Sequence, residues 1–200
     1  MKTIDYGKCG KYLSYMFWML IPNIIAGMFA NDYTSASAPG LYTVGIVIKI
    51  ICMIAYAYFL WQLQTEERLY KMASLLSLAA AVWSVIDEFF LDDRVLTLLG
   101  VVFNLIGLAL SLAQKYFLYE AHSEITYEID HEQSLKWLKL RKRYMIALGL
   151  VGIGLILLFI PAIAAICALV GGIMMFVFSI MELVYLYRTA QVCKKQQYEL

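Results

Sequence analysis

Charge is scarce in this chain. Asp, Glu, Lys and Arg make up 16% of its 200 residues, against 62% hydrophobic residues and a mean hydropathy of +0.73. A water-soluble domain is about 45–50% apolar, so the excess argues against a soluble core and points to lipid as the solvent. Histidine is scarcer still, with two copies, His122 and His131. No HExxH, GxSxG or glycine-rich phosphate loop occurs, which leaves the corresponding hydrolase and nucleotide-binding chemistries without their residues. The four cysteines (Cys9, Cys52, Cys167, Cys193) show no CxxC spacing. Disulfide staples, a structural zinc site and a thiol nucleophile are therefore not expected. A net charge of +1 gives no global field for nucleic acid. The chain reads as a non-enzyme with no cofactor, no metal and no nucleic-acid partner.

Long apolar runs are what it has instead. A membrane-spanning helix needs about 20 mostly apolar residues, and such helices are predicted at roughly 12–30, 42–64, 69–91, 95–119, 144–160 and 162–187. The first is expected to be retained rather than cleaved as a signal. It is longer than a signal core of about 7–15 residues, and Pro39 would follow the Ala36-Ser37-Ala38 cut. Pro161 suits the first turn of the last helix, where its missing N–H has no partner to lose. Pro22 predicts a kink in the first helix.

The basic residues set an orientation. All of the 16 Lys and Arg except Lys49 and Arg94 fall at the termini, in the breaks after the second and fourth helices, or, for Lys71 and Lys115, within five residues of those breaks. A cytoplasmic excess of Lys and Arg places those segments inside. The expected fold is a single all-α membrane domain over 1–200, with six transmembrane helices in three consecutive hairpins and both termini cytoplasmic, in the cell membrane. Three similar strings end the hairpins: Tyr58-Phe59-Leu60-Trp61, Tyr116-Phe117-Leu118-Tyr119 and Val184-Tyr185-Leu186-Tyr187. They fit either a threefold repeat along the membrane normal or interfacial aromatic belts.

Polar residues inside the apolar helices are the candidate site. Each even-numbered helix carries a small or polar stripe at 3-4-3 spacing, hence on one face: Gly45, Lys49, Cys52 and Tyr56; Asn104, Gly107, Ser111 and Gln114; Gly172, Met175, Ser179 and Glu182. Such faces should turn inward, lining a polar cavity or forming a packing seam. Lys49 lies roughly 10 Å below the outer boundary, where a lysine costs about 2.5–3.5 kcal/mol. An ion pair with Asp87 is expected to offset this, with Glu88 as the substitute partner and snorkelling to the outer headgroups as the alternative. Glu182 is a candidate proton or cation site facing Gln114 and Tyr56.

Two further surfaces stand out. The third helix has a small-residue face (Ala73, Ser77, Ala80, Ser84, Asp87), suited to packing within the molecule, against a second copy or against another membrane protein. Segment 120–143 is acidic first and basic after, and reads as a cytoplasmic amphipathic connector. Leu135, Trp137, Leu138 and Leu140 within it suggest a short interfacial helix on anionic lipid or a docking face. Glu128-x-x-His131 has the spacing of di-iron bundles but no second copy. The favoured function is a small transporter or channel-like subunit for a cation or small solute, its path lined by Lys49, Asn104, Gln114 and Glu182. The alternative is a non-transporting accessory or assembly protein docking through helix 69–91 and segment 120–143.

Overall fold

The computed structural model describes residues 4–30, 32–90, 98–157 and 160–199. They form seven helices: α1 (Tyr6–Phe29), α2 (Asp32–Ser37), α3 (Pro39–Leu63), α4 (Leu69–Phe90), α5 (Leu98–Tyr127), α6 (His131–Ile156) and α7 (Pro161–Glu199). No strand occurs among the described residues. Helix is the form expected of apolar sequence in lipid, because every backbone N–H and C=O is then paired within its own segment. The ends are chemically marked. Asp5 caps α1 by accepting from the Lys8 amide at 2.9 Å, and Asp130 caps α6 by accepting from the Gln133 amide at 2.9 Å. Proline opens both α3 and α7.

Among the described residues five helices are long and apolar enough to cross a membrane: α1, α3, α4, α5 and α7. α6 differs, being charged through Arg143 and apolar from Met145 to Ile156. The outward surface is apolar as well. Trp18, Met28, Val82, Leu169 and Phe176 are all more than half exposed, and apolar exposure on this scale needs lipid or protein around it. The chain is an all-α protein of membrane type.

Setting aside the short α2, the helices close a ring. Each packs on its neighbours in sequence, and α7 packs back on α1. The start of α1, the end of α7, the α3–α4 turn and the α5–α6 turn gather at one end. There the Asp5 amide donates to Glu66 Oε2 at 3.0 Å, and Lys8 Nζ donates to Thr65 Oγ1 at 2.6 Å. Burial pushes the Glu66 carboxyl up, but donation from Asp5, Thr65 and Lys8 outweighs it and leaves the group below the usual glutamate range.

The dense core lies toward this termini end. Leu13, Leu60, Leu63, Leu118, Trp137 and Leu186 are fully buried there. Polar bonds stitch it across helices. Tyr70 and His122 share a hydrogen bond of 2.7 Å, Trp137 Nε1 donates to Thr189 Oγ1 at 2.9 Å, and Ser123 and Ser134 share one of 2.7 Å. The three aromatic strings occupy matching positions. Tyr58, Tyr116 and Val184 are exposed, Phe59, Phe117 and Tyr185 half-buried, and Leu60, Leu118 and Leu186 fully buried.

Two readings of the sequence need revision. Segment 120–143 does not form a separate interfacial helix. α5 continues to Tyr127, a short turn follows, and α6 runs unbroken from His131. Trp137 and Leu140 are buried against the rest of the bundle, Leu138 is half-buried and Leu135 is exposed, because the helices are long enough to carry the core past the apolar stretches. The helix predicted at 144–160 is the second part of α6. The small face of α4 turns inward, with Ala73, Ser74 and Ser77 buried and Ser74 Oγ donating to the Ala57 carbonyl of α3 at 2.8 Å.

Candidate functional site

Lys49, Cys52 and Tyr56 of the α3 stripe and Gln114 of the α5 stripe line a cavity of about 220 Å³. Its lining comes from four helices: Met19, Leu20 and Asn23 of α1; Lys49, Cys52, Met53 and Tyr56 of α3; Ser77 of α4; Gln114 and Lys115 of α5. Periodicity explains the α3 contribution, since residues three and four apart share a face and Lys49, Cys52, Met53 and Tyr56 follow that spacing. The site is near mid-depth. Lys49 lies ten residues past Pro39 and Ser77 eight past Leu69, so about 15 Å and 12 Å from opposite ends of the bundle at 1.5 Å per residue.

An ion pair adjoins the cavity. Lys115 Nζ donates to both carboxylate oxygens of Glu182 in α7, at 2.6 and 2.7 Å. Tyr119 Oη donates to Glu182 Oε2 at 2.8 Å. The ammonium also lies 5.7 Å and 5.9 Å from the ring centroids of Tyr119 and Tyr144, within reach of cation–π attraction. Side-chain exposure is 16% for Lys115 and 5% for Glu182. At such burial an ion pair persists only with good geometry and further hydrogen bonds, and the two-oxygen grip plus the tyrosine supplies both.

Elsewhere in the lining, polar atoms lack protein partners. Asn23 Oδ1 and the Tyr56 hydroxyl are buried without a hydrogen bond. None of the ion pairs among the described residues involves Lys49, which is half-buried. A buried polar atom left unpaired costs about 1–3 kcal/mol. Unpaired groups collected around one cavity are therefore candidates to bind something.

The six candidates from the sequence fall into three groups. Lys49 and Gln114 line the cavity, and Glu182 is buried beside it through Lys115. Asn104 is elsewhere on α5, its Nδ2 donating to the Gly100 carbonyl one turn back at 2.9 Å. Asp87 and Glu88 belong to the last turns of α4, but their side chains lie outside the described residues, as does the expected Lys49–Asp87 pair. The stripes also diverge. That of α3 is turned inward, that of α5 is half-buried, and on α7 Gly172 is exposed while Glu182 is buried.

Asn23, Ser77, Lys115 and Tyr119 were not among the predicted site residues. The overlooked signal for Lys115 was depth. It sits three residues before Leu118 as Glu182 sits four before Leu186, so opposite charges stand at matching levels of two helices. Among the described residues no group of three His, Cys, Asp or Glu side chains gathers to hold a metal. Comparison with known protein families, curated proteins and solved structures finds no match to this chain.

Proposed function

We propose that the protein is a small transporter or channel-like subunit of the cell membrane, and that the cavity at Lys49, Tyr56, Ser77 and Gln114 receives a small polar solute. The observation that carries this reading is a mid-depth cavity whose largely apolar wall also holds Lys49, Lys115 and two unpaired polar atoms, Asn23 Oδ1 and the Tyr56 hydroxyl. Intramembrane polar groups of this kind mark substrate and ion pathways. In this reading three hairpins give six spans, the sixth completed by the apolar half of α6. The basic termini end faces the cytoplasm, as the distribution of Lys and Arg requires. The Lys115–Glu182 pair then closes the cavity on its cytoplasmic side.

An accessory role finds less support. Ala73 and Ser77 of the α4 face, and Trp137 and Leu140 of the segment that would serve as a second docking surface, are buried inside the bundle. The test is flux through purified protein reconstituted in liposomes, with small cations, anions and neutral solutes offered in turn. Uptake of one class is expected, and Ser77→Phe, which fills the cavity, should abolish it while the protein stays monodisperse. Absence of flux for every class would overturn the reading.

A further inference from the structure

We propose that the cavity binds a small carboxylate that also carries a hydrogen-bond donor, a hydroxy acid or a zwitterionic amino acid, with Lys49 as the counter-charge of the carboxylate. The inference rests on the solute-site reading and names the ligand class. Charge comes first. The lining holds two ammonium groups, Lys49 and Lys115, and the adjoining carboxylate, Glu182, is already gripped by Lys115. Among the described residues this leaves one positive charge in excess at the cavity, and that charge lies on α3 away from the pair. A carboxylate placed there offsets the cost of holding an ammonium at this depth.

Hydrogen bonding narrows the class. The Tyr56 hydroxyl is a donor without a protein partner in the same lining, and Asn23 Oδ1 an acceptor without one. A ligand satisfying all three groups needs an anionic oxygen pair and one O–H or N–H. Size narrows it again. A volume of about 220 Å³ lies below the range of about 300–1,000 Å³ usual for drug-sized ligands. Met19, Leu20 and Met53 supply an apolar wall for a short carbon chain.

Calorimetric titration of the detergent-purified protein tests this with compounds of matched skeleton. L-lactate and L-alanine distinguish the hydroxy acid from the amino acid. Propionate lacks the donor, 1,2-propanediol lacks the charge, and 1-amino-2-propanol reverses it. Lactate or alanine is expected to bind, with propionate about ten-fold weaker. Lys49→Gln should weaken the anion at least about ten-fold. Tyr56→Phe, which removes a hydroxyl with no protein partner and leaves packing intact, should weaken it several-fold. The proposal is overturned if neither lactate nor alanine binds more tightly than 1,2-propanediol or 1-amino-2-propanol. It is also overturned if Lys49→Gln keeps full anion affinity while lowering the melting temperature, which would mark Lys49 as the partner of Asp87 or Glu88. The two readings fail separately. Anion binding without liposome flux removes the transporter and leaves the site, whereas flux of a cation or neutral solute without anion binding does the reverse.

Discussion

Lys115 and Glu182 illustrate why a buried ion pair is judged by what happens when half of it is removed. Losing one partner leaves a charge stranded at a cost of about 3–5 kcal/mol, while replacing both by apolar residues of similar volume is often neutral. Lys115→Met and Glu182→Leu should each lower the thermal midpoint, and the double variant should recover most of the loss. Unfolding of the four proteins in the same detergent measures the coupling, and damage that simply adds would contradict the pairing. Glu66 gives a pH effect of known sign. Its carboxyl is depressed in the folded protein, so its contribution is complete above about pH 4.3, the ordinary glutamate value. That contribution is lost as pH falls through the lower folded value. Hydrogen exchange at the start of α1, followed from neutral pH down to about pH 3, should show an acid loosening in the wild type that Glu66→Gln lacks.

At the scale of elements, α1 is wedged against its neighbour by a glycine. A Cβ on Gly45 would stand 3.0 Å from the Ala26 carbonyl oxygen and 3.2 Å from the Ala30 amide nitrogen, both backbone atoms of the chain around the end of α1. Gly40, in the first turn of the same helix, has nothing within 4 Å. Gly45→Leu should therefore separate α1 from α3 at a cost of about 1–3 kcal/mol. Gly40→Leu should cost little, and thermal melts of the two variants compare them directly. The apolar lengths and the Pro161 start made most helices legible in the sequence. The spacing of Glu120, Glu124 and Glu128 at i, i+4 also marks the continuation of α5 to Tyr127, but the unbroken run of α6 from His131 into the apolar stretch was not legible. Trp137 sits among lysines and arginines, and its burial depends on Thr189, far along the chain in α7. The site was partly legible for the same reason. Spacing told which side of a helix Lys49 and Gln114 share with small residues. It does not give the level at which helices meet, so spacing alone groups Asn104 with them and leaves Lys115 among the basic residues of the inner end.

For the whole molecule, the ring arrangement and the basic end make one joint prediction about orientation. Gly40 and Arg68 are both exposed and mark opposite ends of the bundle, Gly40 at the start of α3 and Arg68 in the turn after it. In intact cells, Gly40→Cys should react with a membrane-impermeant maleimide. Arg68→Cys should react only after lysis. The reverse pattern would invert the proposed topology.

The contact of α7 with α1 also has a consequence for synthesis. A chain made from its N-terminus inserts α1, α3, α4 and α5 before α7 exists. During that interval the ring is open, the flank of α1 that will meet α7 faces lipid, and Lys115 has no Glu182 to hold it. A lysine at that position is tolerable while it reaches toward headgroups, but the Glu182 carboxylate that ends the wait is on the final helix. α7 thus completes the wall and the charge balance together, so a chain truncated before Pro161 should lose both at once.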